Sequence, residues 1–430
     1  MPPKSKMPYQ KWRTIVAISF GNALEWFDFV IFGYFIVTIA KHFFPTDDPT
    51  SALMFSAATF GAAFIVRPFG AIVLGHYADR FGRKLALTLT ISLMTIGTAL
   101  IAFAPTRSSI GPAASLIIIV ARVLQGFSAG GEFGSSTSLL VEQEPRSRGF
   151  FASWQFASQA LTLVLATSCA TLLATALSAE QLDAWGWRIP FAFGILIGPF
   201  AIYIRQRIFE SAEFQSIQVS RSPVRDVLSS FKSGLLIAVG LVTFATVAIY
   251  TLVFMPTYCV QYLSLSLSDG FQTSLITGIV QVVLVPIAGA LSDKWGRIPI
   301  ATFAILATIA IAIPLLFNLT TTPNFANLLL FQVCIGVSVA IYVGTLPAIM
   351  SELFPTQVRT TGLSISYSVA VCIFGGSAPL VNGLLINLTD SNIAPSYYLS
   401  VVAFISLIAL AAAAREIRRD RHGVRGYQNA

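Results

Sequence analysis

The chain alternates long apolar segments with short polar turns along its whole length. Each apolar segment has about 20 residues or more, which is enough for a helix to cross the roughly 30 Å hydrocarbon core of a bilayer. A helix also satisfies its own backbone hydrogen bonds inside lipid. The pattern therefore predicts twelve spanning helices, numbered span 1 to span 12 along the chain: 14–41, 52–78, 85–105, 112–142, 148–177, 188–209, 233–262, 268–292, 299–318, 326–352, 360–388 and 394–415.

A short charged phrase occurs twice between these segments. It reads GHYADRFGRK at 75–84, after span 2, and GALSDKWGR at 289–297, after span 8. A repeated turn indicates a repeated half, and membrane proteins built from two such halves bind solute between them and rock one half against the other. We therefore predict an all-α integral membrane protein with an N-terminal six-helix half at 1–209, a linker at 210–232, a C-terminal six-helix half at 233–415 and a basic tail at 416–430.

Composition and charge agree with this architecture. Apolar residues make up 55% of the 430 residues and charged residues 11%, against about 25% charged in a soluble domain. With a cytoplasmic N-terminus, all but five of the 27 Lys and Arg residues lie in cytoplasmic turns or tails. This asymmetry predicts that both termini are cytoplasmic, and it excludes nucleic acid as the partner behind the net charge of +8. We expect no cleaved leader, because span 1 is full-length and lacks a cleavage site.

The repeated turns carry a candidate latch. Gly82 and Gly296 permit a sharp chain reversal, and the aspartates of the two phrases are suited to cap a neighbouring helix. The arginines that follow are placed to meet the glutamates at the ends of spans 4 and 10. The alternative is that these residues act only as topology signals. The predicted cytoplasmic gate consists of six residues: Asp79, Arg83, Glu142, Asp293, Arg297 and Glu352.

Span 1 carries a polar stripe. Asn22, Glu25 and Asp28 are spaced i, i+3 and i+6, so they share one face of a helix, with Trp26 and Phe27 pointing elsewhere. Polar residues inside a bilayer are costly unless they are paired or face an aqueous cavity. We therefore expect this stripe to face the central cavity between the halves.

Two arginines are also predicted at mid-membrane. On helix geometry, Arg67 of span 2 and Arg122 of span 4 lie about 15 to 22 Å from the outer ends of their spans. A coupled set of Arg122, Asp28 and Glu25 is suited to carry a proton, because an anion bound at an arginine removes the partner that keeps a carboxylate charged. The alternative is a permanent structural pair. Glu132 either receives the proton on its inward path or pairs with an arginine near the end of its span.

Further polar side chains are candidates for contact with the solute. Asn22, Arg67 and Arg122 belong to this set, and hydrogen-bond donors in spans 5, 7, 8, 10 and 11 extend it. For each single residue, interhelical packing is an open alternative. These additional candidates are Gln155, Gln159, Tyr250, Tyr258, Gln281, Tyr342 and Ser364.

Several phrases resemble a known family. RVLQGFSAG at 122–130 is similar to the RxxxGxxxG motif of the major facilitator superfamily, and the repeated turn is similar to its signature loop. GNALEWFDF at 21–29, RPFG at 67–70, GFSAGGE at 126–132 and WGWRIPF at 185–191 resemble the metabolite:proton symporter family within it. FASWQFASQ at 151–159 and IFGGSAP at 373–379 look like the citrate and tricarballylate symporters of that family.

This resemblance implies proton-coupled symport of a small organic acid, most of all a tricarboxylate such as citrate, by alternating access across a bacterial inner membrane. A dicarboxylate, a shikimate-like acid or a zwitterionic osmolyte remains an alternative, and a short tail without a coiled-coil extension disfavours the osmolyte. A membrane sensor without turnover is an alternative of another class, disfavoured because no signalling domain is appended. Nothing in the sequence requires more than a monomer embedded in the lipid bilayer for this function.

An enzymatic reading is not favoured. GFSAG at 126–130 matches the GxSxG pattern of serine hydrolases, but Ser128 lies in an apolar span rather than at a strand-to-helix elbow. The three His residues are far apart and the four Cys residues form no CxxC pair, so we expect no metal and no cofactor.

Overall fold

The structure, a computed structural model, describes residues 8–44, 49–206, 212–215 and 220–421 and contains no β-strand in these ranges. Twelve of its helices are long and apolar enough to cross a membrane, as predicted. The helices that form spans 1 to 10 are Pro8–Tyr34, Pro49–Phe81, Arg83–Phe103, Ala113–Val141, Arg148–Ala176, Ile189–Gln206, Lys232–Leu263, Leu267–Trp295, Arg297–Thr321 and Phe325–Ser351. Span 11 begins with Arg359–Ala370 and ends with Ala378–Thr389, and span 12 is Ala394–Arg421.

Two spans differ from the predicted continuous helices. Span 1 ends at Tyr34, and a separate short helix, Ile36–Phe43, follows a break at Phe35. Span 11 is interrupted by a π-helical turn, Val371–Gly375, followed by a second glycine and a proline. Apolar composition does not mark such interruptions, and π-helical turns of this kind are frequent at functional sites.

The halves meet along several pairs of helices, two of which are equivalent in the two halves. Span 2 packs against span 11, and span 5 packs against span 8, so each half contributes one helix to each contact. Within the N-terminal half, spans 2 and 4 touch backbone to backbone: a Cβ added at Gly130 would lie 2.2 Å from the carbonyl oxygen of Arg67. Small residues therefore bring span 4 against the arginine of span 2.

The two repeated turns share one side of the molecule. Gly82 and Gly296 adopt φ values of 108° and 92°, so both are in a region that favours glycine, as the sharp reversals require. We call this side the turn-motif face and define it by these two turns and by the linker helices Ala212–Gln215 and Pro223–Ser230. The extreme N-terminus, with Lys4 and Lys6, and the last part of the basic tail, from 422 on, lie outside the described residues.

Candidate functional site

Arg67 of span 2 and Glu25 of span 1 form a buried ion pair. The Arg67 Nη2 donates to Glu25 Oε1 at 2.7 Å, and their side chains are 2% and 5% exposed. The Arg67 Nε is buried without a hydrogen-bond partner in the described part of the chain. Four aromatic rings lie 5.4–6.0 Å from the guanidinium carbon: Trp26, Phe29, Phe64 and Tyr367. The guanidinium thus keeps an unused donor inside a ring of aromatic groups.

Arg122, on span 4, is another buried guanidinium of the N-terminal half. Its Nη1 donates to Gln125 Oε1 at 2.7 Å, whereas its Nε and Nη2 have no partner among the described residues. The guanidinium carbon lies 4.5 Å from the centre of the Phe29 ring and 4.4 Å from that of Phe32. Cation–π contacts stabilise this buried charge but leave two donors without a described partner.

Gln125 separates Asp28 from Arg122. Its Nε2 donates to Asp28 Oδ2 at 2.8 Å while its Oε1 accepts from the arginine. The Thr98 hydroxyl donates to the same Asp28 oxygen, and Asp28 Oδ1 is buried without a partner. The sequence prediction missed Gln125, although its i+3 spacing from Arg122 on one helix already placed the two side chains together.

The polar stripe of span 1 does not face one cavity, which corrects the sequence-based expectation. Asn22 exchanges hydrogen bonds with Gln155 of span 5: its Nδ2 donates to the Gln155 carbonyl at 2.7 Å, and Gln155 Nε2 donates to its Oδ1 at 3.0 Å. Glu25 turns toward span 2, and Asp28 toward spans 3 and 4. Successive polar positions on a central helix are shared among different neighbours, which periodicity alone does not reveal.

Trp26 lines the cavity between the halves, contrary to its predicted orientation. The cavity has a volume of about 60 Å³, and Gln159 and Gln281 supply polar groups to its wall. The Trp26 ring also contacts the ring of Tyr250 from span 7, with centroids 6.5 Å apart. Ligand sites commonly measure roughly 300–1,000 Å³, so this cavity must widen before it accepts an organic acid.

Other predicted contact residues lie elsewhere. The Tyr258 hydroxyl donates to the Asn392 carbonyl at 2.6 Å, and the Tyr342 hydroxyl donates to the Leu241 carbonyl at 2.7 Å. Both bonds are internal to the C-terminal half, so the structure does not join these tyrosines to the arginine cluster. Ser364 is fully buried against span 4 near the turn-motif face.

Glu132 also has a local partner. Its Oε2 accepts from the Thr90 hydroxyl of span 3, and its side chain is buried. It lies on span 4, ten residues beyond Arg122 and nearer the turn-motif face.

Asp79 and Asp293 each cap a helix of the opposite half. Asp79 accepts from the backbone N–H groups of Thr360 and Thr361, at 3.2 and 2.7 Å, where span 11 begins. Asp293 accepts from the N–H groups of Gly149 and Phe150, at 2.8 and 2.9 Å, where span 5 begins. The two caps are equivalent in the two halves and hold the turn-motif face closed.

Arginines add a second layer to this closure. Arg83 lies 3.4 Å from Glu142 and donates to the Thr356 carbonyl of the other half at 2.8 Å. Arg359 donates to Glu142 at 2.8 Å, again across the halves. In the C-terminal half, the corresponding pair of Arg297 and Glu352 is also formed. The six predicted latch residues therefore form two separate clusters on this face, Asp79 with Arg83 and Glu142, and Asp293 with Arg297 and Glu352.

The linker joins the same network, which the sequence prediction missed. Glu213 accepts from Thr356 at 2.7 Å and from Arg359 at 3.2 Å, and lies 3.4 Å from Arg148 of the other half. Partial burial alone raises the pKa of Glu213, but Arg359, the Thr356 hydroxyl and Arg148 together leave it lowered. This tie is therefore present above the usual carboxyl pKa and is lost only when pH falls through the lowered value.

Twelve spanning helices in two similar halves, joined by equivalent contacts, are an architecture typical of membrane transport proteins. The Major Facilitator Superfamily model matches residues 18–379, which is well over half of the chain. The chain therefore belongs to the Major Facilitator Superfamily. It is a multi-pass protein of the bacterial inner membrane.

Its curated relatives include carriers of different solutes. A citrate-proton symporter of Klebsiella pneumoniae is 36% identical over 400 residues, covering 92% of this chain and 90% of that protein. A citrate-proton symporter of Salmonella typhi is 35% identical over 406 residues, covering 92% of each. A proline/betaine transporter of Escherichia coli (strain K12) is 31% identical over 414 residues, covering 92% of this chain and 82% of that one.

Solved structures share the fold at low sequence identity. The proton:xylose symporter XylE bound to 6-bromo-6-deoxy-D-glucose has a TM-score of 0.75 at 15% identity, with 97% of each chain covered. The human organic anion transporter MFSD10 (TETRAN) has a TM-score of 0.65 at 16% identity, covering 95% of this chain and all of that one. These likenesses establish the fold alone.

Proposed function

We propose that the chain is a proton-coupled symporter of a small organic acid, a tricarboxylate such as citrate, working by alternating access. The observation that carries this proposal is the pair of buried guanidinium groups, Arg67 and Arg122, with donors that have no described partner. Buried donors normally have partners, and a carboxylate matches the two-pronged geometry of a guanidinium. The relatives that carry citrate with protons give independent support.

The charge of the cluster suggests why a proton accompanies the anion. With Glu25 and Asp28 both ionised, they balance Arg67 and Arg122, and an additional anion would be left without a matching charge. A proton on Asp28 leaves the cluster with one net positive charge, which favours an incoming carboxylate. By linkage, the bound anion favours that proton equally. Asp28 is the carrier in this scheme, with Glu132 as a second acceptor toward the turn-motif face.

Gln125 has a defined role in this scheme. The neutral amide keeps Asp28 from pairing directly with Arg122, so Asp28 can gain a proton without breaking an ion pair. Replacing Gln125 with Leu removes the bridge, and a direct pair would favour the charged carboxylate. We expect Gln125→Leu to move the pH midpoint of citrate uptake toward acid by about one pH unit.

The pH profile of initial uptake rates in proteoliposomes checks this expectation. Gln159→Leu is the matched control, because Gln159 lies on the cavity wall away from Asp28. It should change the preference among acids but leave the pH midpoint in place. An unchanged midpoint in Gln125→Leu, with normal folding, would refute the bridging role.

We place the turn-motif face in the cytoplasm, because its turns carry the basic residues of the positive-inside pattern. The two helix caps and the ion pairs then form a cytoplasmic gate that must break when the carrier opens inward. An N-cap contributes about 1 kcal/mol, so two equivalent caps are enough to bias the equilibrium between closed and open states. The alternating movement is thus tied to specific polar contacts between the halves.

Removing one cap tests the gate. Asp79 lies about 18 Å along span 2 from Arg67, so Asp79→Ala should leave citrate affinity within about twofold while slowing turnover at least about fivefold. Arg83→Ala should behave similarly, because it leaves Glu142 with fewer partners. The exposed Arg146→Ala is the control. Weaker binding with a normal maximal rate would contradict the assignment to the gate.

A second candidate cargo is a zwitterionic osmolyte. The pair of Arg67 and Glu25 offers one charge of each sign, and the Trp26 and Phe64 rings beside it are suited to a quaternary ammonium group. The proline/betaine relatives give this reading its weight. The two cargoes differ in net charge, and binding at different pH values therefore separates them.

A thermal-shift panel on the purified carrier decides between these cargoes. The panel contains citrate, tricarballylate, succinate, shikimate, proline and glycine betaine, each tested at pH 6 and pH 8. We expect citrate or tricarballylate to stabilise the protein, with the larger shift at pH 6, because binding takes up a proton. A response to betaine or proline with none to citrate would replace the tricarboxylate and retain the symporter.

A further inference from the structure

A groove lies on the turn-motif face, away from the arginine cluster. It has a volume of about 590 Å³ and is walled by the linker helix Pro223–Ser230, the end of span 2 and the start of span 7. Its polar lining consists of Arg225, Lys232, His76 and the hydroxyls of Ser222 and Ser229. Because the lining residues that the structure describes include two cations and no acid, the groove is positively charged.

The two cations of the groove are available to a ligand. Arg225 and Lys232 are both exposed and make no ion pair with another described residue. Asp226, the neighbouring acid on the linker helix, accepts from the Ser220 hydroxyl and does not line the groove. The two cationic groups thus line one groove without a counter-charge among the lining residues that the structure describes.

Apolar tracks lead from this groove along both spanning helices. On span 2, Phe69 and Val73 precede His76 at i, i+4 and i+7, and they are 64% and 52% exposed. On span 7, Leu236 lies one turn beyond Lys232 and is 72% exposed. A ligand whose charged end fills the groove therefore meets exposed apolar surface running into the bilayer.

We propose that this groove binds the headgroup of an anionic phospholipid from the leaflet on the turn-motif side. The phosphate meets Arg225 and Lys232, the Ser222 hydroxyl donates to one of its oxygens, and the acyl chains lie along Phe69, Val73 and Leu236. Basic pockets between spanning helices near the membrane surface suit such headgroups. The charge selects the anion, and the two apolar tracks select a lipid over a free phosphate.

The position of the groove gives the lipid a structural consequence. Span 2 belongs to the N-terminal half and span 7 to the C-terminal half, and the linker helix contacts both, together with span 11. A headgroup bound there contacts both halves on the side that the caps hold closed. The bound lipid therefore adds to the closure of this face.

Native mass spectrometry of the full chain, titrated with phosphatidylglycerol, measures the binding. The double variant Arg225→Ser with Lys232→Ser should lose at least about tenfold in affinity, since each basic residue near the surface contributes substantially to anionic-lipid binding. The matched control is Arg146→Ser with Lys294→Ser, which removes two exposed cations from the same face outside the groove and should bind normally. The double variant Arg225→Lys with Lys232→Arg keeps both positive charges and should therefore retain lipid binding. This result would show that a positive charge at each of the two positions is sufficient for binding.

Two further measurements in the same experiment identify the ligand. Phosphatidylethanolamine should bind at least about tenfold more weakly than phosphatidylglycerol, because its headgroup carries no net charge. Inorganic phosphate at the same concentration should not displace the lipid. Equal affinity of the groove variant and the control variant would overturn the proposal, and so would displacement by inorganic phosphate alone.

Discussion

Asp28→Asn is expected to abolish uphill accumulation of citrate while leaving exchange across the membrane. Asn keeps the size of Asp and accepts the hydrogen bonds that Gln125 and Thr98 donate to Asp28. It cannot take up a proton, so the cluster keeps one permanent positive charge. The variant should therefore bind the anion at every pH but should no longer link its movement to the proton gradient.

Two assays on the same proteoliposomes separate these outcomes. Uptake under an imposed pH gradient measures accumulation, and counterflow of labelled citrate measures exchange without a gradient. Glu132→Gln is the comparison variant, because it neutralises the second proton acceptor on the proposed path. If Asp28→Asn accumulates citrate at the native level, Asp28 is not an essential proton carrier. If only Glu132→Gln loses accumulation, Glu132 carries the proton instead.

Arg67→Lys or Arg122→Lys is expected to weaken tricarboxylate binding by about tenfold or more, which corresponds to roughly 1.4 kcal/mol. Lys keeps the charge but offers a compact ammonium in place of the planar fork of five donors. Arg67 must donate hydrogen bonds to Glu25 from one side of its guanidinium and to the solute from another. A Lys ammonium does not offer donors in this fixed planar arrangement. The loss should be larger at whichever arginine contacts the carboxylate directly.

Isothermal titration of citrate at a pH below neutrality measures this loss. Arg146→Lys, in an exposed turn, is the control and should bind like the native chain. Unchanged citrate affinity in both Arg67→Lys and Arg122→Lys would contradict direct recognition of a carboxylate by these groups. That result would contradict only the identity of the solute as a tricarboxylate. The fold and the proposed gate do not depend on it.

The sequence predicted the fold because bilayer thickness and backbone hydrogen bonding restrict the answer so strongly. A run of about 20 apolar residues has few structural alternatives, and the repeated turn at Gly82 and Gly296 fixed the two halves. Capping was also predictable, because an Asp in the last turn of a helix, next to a sharp reversal, can reach the free N–H groups of a neighbouring helix. The repeat predicted two equivalent caps at Asp79 and Asp293, but not that each would lie on a helix of the opposite half.

The finer site was less predictable, because helical periodicity gives a face and not the neighbour it meets. Trp26 was assigned away from the cavity that it lines, and Asn22 faces span 5 instead. Tyr258 and Tyr342 looked like cavity donors but bond carbonyls within their own half. Glu213 gave no local signal, because its three partners come from distant parts of the chain.

The most direct test of the central claim is citrate uptake into proteoliposomes that contain the purified chain and a fluorescent pH indicator. With the membrane potential clamped, an inward proton gradient should drive citrate above its external concentration. Without that gradient, an inward citrate gradient should acidify the lumen. Citrate that equilibrates without accumulating and without any change in luminal pH would contradict proton-coupled symport.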